Sequence, residues 1–155
     1  MTRVPRLLKA LPAQGRDRLM GVAREVNFPA GTRIFEEDFR ADRFWVVRTG
    51  SVELDLHVPG RRASTVEMLG PGDLLGCSWL FPPHTWKLGA EAVSPVRALK
   101  FDAADVRALC EEDPRLGQAL AVYVAETVAQ RLQAARSRLL NQYGPAGGDS
   151  LGAAR

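Results

Sequence analysis

The sequence predicts a mainly β domain with flanking helices: a double-stranded β-helix (jelly-roll) barrel followed by a long C-terminal helix. Three observations carry this. Apolar residues recur at helical spacing only towards the two ends of the chain. From Phe28 to Asp102 they fall into short runs broken by glycine and proline about every 8–12 residues, the pattern of a β-sandwich or barrel. After Asp113-Pro114, a cap followed by a first-turn proline, nothing interrupts a helix until Gly144-Pro145.

Residues 1–27 read as two short helices. Val4, Leu7, Leu8 and Leu11 have helical spacing before Pro12, and Leu19, Met20, Val22, Ala23 and Val26 repeat it afterwards. Residues 28–102 form the barrel, with strands expected over Thr32–Phe35, Phe44–Arg48, Ser51–Val58, Ser64–Leu69, Leu88–Val93 and Val96–Phe101. Ser51–Val58 is the clearest, because Val52, Leu54 and Leu56 alternate with Glu53, Asp55 and His57; one face is buried and the other wet. Pro59-Gly60 supplies the turn back.

Residues 103–143 return to helical period. Asp102 is placed to cap Ala103–Glu112, and the helix from Pro114 to Gln142 would extend about 43 Å at about 1.5 Å per residue, longer than a small barrel can cover. Its apolar residues Leu120, Val124, Val128, Leu132, Ala135 and Leu139 step by four, four, four, three and four, close to a coiled-coil seam. A homodimer paired through this helix is expected. The Gly/Ala-rich residues 144–155 read as a disordered tail.

Composition excludes several classes. The 21 basic and 18 acidic residues are interleaved, so the net charge of +3 describes a mixed solvated surface and no nucleic-acid-binding stripe. No apolar run is long enough to span a membrane, and the N-terminus is no secretory signal. Cys77 and Cys110 form no paired motif, which fits reduced thiols in the cytoplasm. The two histidines, His57 and His84, lie in separate segments and cannot supply the clustered ligands of a metal site. Ser78 has no nucleophile-elbow glycines around it, so no hydrolase, and no enzyme, is expected.

Several motifs in order resemble the cyclic-nucleotide-binding domain family, in its CRP/FNR-like form. Phe28-Pro29-Ala30-Gly31-Thr32 with Ile34-Phe35 is similar to the entry strand, and Ala41-Asp42 with Phe44-Trp45-Val46-Val47 to the next. Gly50-Ser51-Val52-Glu53-Leu54 resembles the strand after it, and Leu69-Gly70-Pro71-Gly72-Asp73-Leu74-Leu75-Gly76 the turn that opens the phosphate-binding cassette. The resemblance implies a regulatory or sensor domain whose cassette holds cAMP or cGMP. In that family a short helix aims its amides at the cyclic phosphate, an arginine neutralises it and a glutamate accepts from the ribose hydroxyl.

The cassette here, Gly76 to Ala92, has the family's length but not its chemistry. The glutamate position holds Cys77, the arginine position Trp86, and the neighbouring Ser/Thr position Lys87. The candidate ligand-binding residues are accordingly Gly76, Cys77, Ser78, Trp79, Trp86, Lys87 and Leu88. Three readings stand open. A cyclic nucleotide binds with Lys87 in place of the arginine, at the loss of about 1.5–3 kcal/mol of charged hydrogen bonding. Alternatively, Trp79, Phe81 and Trp86 line a pocket for an apolar or aromatic ligand, or the interior is filled by its own side chains.

Under the first two readings, a ligand at Gly72–Lys87 would shift Ala103–Glu112 and reorient the paired helices. Under the third, the chain is a ligand-independent dimeric module that regulates a partner protein. The family's transcription factors carry a helix-turn-helix after the long helix. This sequence has no room for one, and direct DNA binding is not expected.

Overall fold

The computed structural model describes residues 5–154, with side chains described as far as Tyr143. Helices α1 (Arg6–Lys9) and α2 (Ala13–Gly21) precede eight strands: β1 (Arg24–Phe28), β2 (Arg33–Phe35), β3 (Arg43–Thr49), β4 (Val52–Leu56), β5 (Ser64–Leu69), β6 (Leu74–Leu75), β7 (Gly89–Ala92) and β8 (Val96–Asp102). Helices α3 (Ala103–Glu112) and α4 (Pro114–Ala154) complete the chain. The strands form two four-stranded antiparallel sheets, ordered β1-β8-β3-β6 and β2-β7-β4-β5, which face each other without closing.

Three layers result: helices, first sheet, second sheet. Strand β3 explains why. Phe44 and Val46 face the helices and join Leu7, Leu19, Leu99, Phe101, Val106, Leu116, Leu120 and Val124 in one core. Trp45 and Val47 face the second sheet and join Val52, Leu54, Leu75, Trp86, Ala90 and Ala98 in another. A strand buried on both faces needs an unbroken apolar run, and Phe44-Trp45-Val46-Val47 is one.

The structure departs from the sequence reading at several points. The β region begins at Arg24, because Val26 and Phe28 alternate inward on β1 and pair with Ala98 and Val96 of β8; the second helix stops at Gly21. Strand β6 has only two residues, too few for any periodicity to register. On β4 the alternation fails after Leu54: Leu56 is 41% exposed and Asp55 is buried. Asp102 precedes α3 but makes no side-chain cap, whereas Asp113 Oδ1 accepts the amide of Leu116 at 3.3 Å.

Helix α4 continues through Gly144-Pro145, where a stop was expected. Proline removes one i→i−4 bond, yet its fixed φ is itself helical. The tail reading falls on residues whose side chains lie outside the described residues. Among the described residues, no helix is long and apolar enough to cross a membrane.

Candidate functional site

The cassette leaves β6 at Gly76, turns through Cys77–Lys87 and enters β7 at Gly89. It contains no helix. Leu80 N donates to Cys77 O at 3.2 Å and His84 N to Phe81 O at 3.0 Å, two isolated turns. Pro82 and Pro83, which have no amide hydrogen to offer, stand where a helix would have to grow. The anion-binding helix N-terminus that the resemblance implied is therefore missing.

The returning arm is pinned by backbone. Asp38 N donates to Trp86 O at 2.8 Å, Trp86 N to Phe39 O at 2.9 Å and Ala41 N to His84 O at 2.7 Å. This pairing drives the Trp86 indole between the sheets, where it stacks on Phe35 with centroids 3.9 Å apart and rings inclined by 14°. Trp45 lies 5.7 Å from Phe35 and 6.1 Å from Trp86, and Phe28 meets Trp45 edge-on at 6.3 Å. Only 4% of Trp86 is exposed. Gly76 makes room for it: its φ is +100°, and a Cβ there would come within 3.0 Å of the indole.

The candidate residues separate. Gly76, Trp86 and Leu88 meet between the sheets. Cys77 and Trp79 pack into the helix-side core instead, with Trp79 stacked on Phe44 at 4.8 Å. Ser78 is half-buried, while Lys87 is exposed and supplies no charge to the interior. Phe81 is 41% exposed and lines nothing between the sheets. Along α4, Leu120 and Val124 are each 1% exposed and used up within their own domain, which removes them from any seam. Val128, Leu132 and Leu139 are exposed, and Ala135 is half-buried.

The sequence reading missed Arg131. From α4 its guanidinium donates to the Leu74 carbonyl, lies 3.6 Å from Cys77 Sγ and approaches Glu67 at 3.8 Å. Burial pushes the Cys77 thiol above its usual pKa, and Arg131 opposes this. Arg131 lies 54 residues from Cys77, and no local pattern announces such a contact. Among the described residues, no group of three or more His, Cys, Asp or Glu side chains could hold a metal.

The profile of the cyclic nucleotide-binding domain matches residues 25–113, more than half of the chain. This chain belongs to the cyclic nucleotide-binding domain family. It is 26% identical over 114 residues to a CRP-like cAMP-activated global transcriptional regulator of Mycobacterium tuberculosis, covering 74% of this chain and 49% of that one. It thus spans about half the length of the curated relatives it matches. A solved structure of a candidate cyclic nucleotide-binding protein from Geobacter metallireducens is 32% identical, with a TM-score of 0.73 over 83% of this chain and 92% of the other. The N-terminal domain of a transcriptional regulator from Streptomyces coelicolor is 28% identical, with a TM-score of 0.66 over 82% and 88%.

Trp86, which the resemblance puts at the arginine position, packs in one cluster with Phe35 and Trp45, and Cys77, which it puts at the glutamate position, faces Arg131.

Proposed function

We propose that the chain is a regulatory sensor-type domain, acting in a reducing compartment, whose inter-sheet site is closed to cAMP and cGMP by Trp86. The observation that carries this reading is the 3.9 Å stack of Trp86 on Phe35, with Gly76 cut back to admit the indole. What the family fold keeps is the connection from cassette to helices. Arg107 of α3 donates to the Trp79 carbonyl, and Arg131 of α4 holds the Leu74 carbonyl beside Cys77. A change at the cassette is thereby passed to α3 and α4 without any catalytic step.

The reading includes a homodimer along α4. Exposed Val122, Ala125, Ala129, Leu132, Leu139 and Tyr143 step by three, four, three, seven and four. That is a heptad seam whose gap falls on Arg136. It supports pairing of two copies by a face that the barrel leaves uncovered.

Calorimetric titration of cAMP and of cGMP into the whole chain tests the closed site. The expected result is no saturable heat at millimolar nucleotide. One-to-one binding in the micromolar range would overturn the reading.

A further inference from the structure

The two non-glycine residues with positive φ among the described residues stand on opposite arms of one small ladder. Asp38 has a φ of +70° and His84 of +59°. Between the arms run three backbone bonds: Asp38 N donates to Trp86 O, Trp86 N to Phe39 O, and Ala41 N to His84 O. Asp38 thus faces Trp86 at one end of the ladder, and His84 faces Ala41 at the other. A left-handed conformation at a residue with a side chain costs free energy, and the surrounding structure must hold it in place.

Little else holds it here. Neither arm belongs to a strand of either sheet, and the bridge between them, Arg40 to Thr85, is an isolated one. Of the side chains on residues 38–41 and 84–87, only those of Ala41 and Trp86 are buried. The Trp86 indole on Phe35 is thus the one large anchor of the ladder. Strand β3, by contrast, is bonded to β6 and β8 and covered on both faces. A short ladder with so few buried side chains opens at lower cost than such a strand.

His84 also meets α3. Its Nδ1 lies 3.0 Å from the Trp79 carbonyl oxygen. Arg107 donates to that same oxygen and lies 3.4 Å from the imidazole nitrogen. One carbonyl therefore joins a strained corner of the ladder to α3.

We propose that residues 84–87 form a hinged strap, which parts from Asp38–Ala41 as one unit and lifts Trp86 off Phe35 while both sheets stay folded. Opening relaxes the two left-handed residues and turns His84 away from the carbonyl that anchors Arg107. The strap is a built-in lid whose position is read by α3. This rests on the closed-site reading and adds to it that the closure is reversible.

Native-state hydrogen exchange of the full ¹⁵N-labelled chain, in urea below the unfolding midpoint, tests this. The amides of Asp38, Ala41 and Trp86 should share one protection factor, about tenfold or more below that of the bonded β3–β8 amides, and should hardly respond to urea. Asp38→Val, a β-branched residue at positive φ, should lower all three together by about tenfold. Arg107→Gln should lower all three by about fivefold, the worth of one hydrogen bond, although residue 107 bonds to none of them. Three unrelated protection factors, or the full urea dependence of the β3–β8 amides, would overturn the opening. A response to Asp38→Val confined to residue 38 would overturn the single unit, and unchanged protection in Arg107→Gln the passage to α3. Exchange is measured without ligand, so each of these results leaves the closed site standing. Micromolar nucleotide binding in the calorimetric titration would instead remove the closed site itself.

Discussion

Arg33 and Asp55 grip each other across the backbone of Gly89. The guanidinium donates twice to the carboxylate, from Nη1 to Oδ2 at 2.5 Å and from Nη2 to Oδ1 at 3.2 Å. Both groups lie where a Cβ at position 89 would stand. Asp55 is 6% exposed, and this bidentate partner makes such burial tolerable. The pair spans β2, β7 and β4, so it fixes the second sheet at the strand where the cassette ends.

Gly89→Ala should therefore destabilise the fold by about 1–3 kcal/mol through overpacking. Asp55→Ala should cost a similar roughly 1–3 kcal/mol, since Arg33 keeps Glu36 and Glu91 within reach. The double variant should fall short of the sum, because removing the carboxylate frees space for the new methyl. Urea denaturation of all three checks this; strict additivity would show that the residues do not share one space.

Trp86→Ala should cost about 3–5 kcal/mol, the usual range for removing a large buried aromatic side chain. The cavity left beside Phe35 and Trp45 should accept free indole, raising the variant's Tm but not that of the natural chain. Thermal melts with and without indole read both effects. An unchanged Tm in the variant would mean that the sheets close over the gap.

Leu132→Asp and Leu139→Asp should give a monomer in light scattering after size exclusion, with barrel stability altered by less than about 0.5 kcal/mol. Leu120→Asp should instead unfold the chain, because it places an unpaired carboxylate in the core at a cost of about 3–5 kcal/mol. If Leu132→Asp and Leu139→Asp both remained dimers, the α4 seam would not be the interface.

Burial raises the pKa of both Cys77 and Cys110, so the folded chain favours the neutral thiols. That contribution is fully present below the ordinary thiol pKa of about 8.5 and is lost as pH rises through the raised values. The urea midpoint should therefore decline at alkaline pH, and Cys77→Ala with Cys110→Ala should decline less steeply. Parallel slopes would assign the decline to other groups.

The core strands were legible because their patterns are local. The unbroken run of β3 and the glycine-punctuated spacing between strands need no partner to be read. The site was only half legible. The resemblance puts Trp86 at the arginine position, but the direction of its side chain depends on backbone bonds to Asp38 and Phe39, far away in sequence. Asp55 was misread because alternation assigns a face and says nothing of Arg33 waiting on it. The expected α4 seam is not one continuous exposed face, because four-residue steps drift around a helix, carrying Leu120 and Val124 into the core while leaving Leu132 and Leu139 outside.

The bonds that hold Asp38–Ala41 to His84–Trp86 are made by backbone, whatever side chain stands at 86. The socket and its occupant are thus separately encoded. An indole attached to the wall of the socket behaves as a tethered ligand, at an effective concentration that no freely diffusing nucleotide reaches. Dilution cannot remove it and cellular supply cannot vary it. On the function proposed above, the side chain at position 86 separates a domain that waits for a signal from one that carries its own.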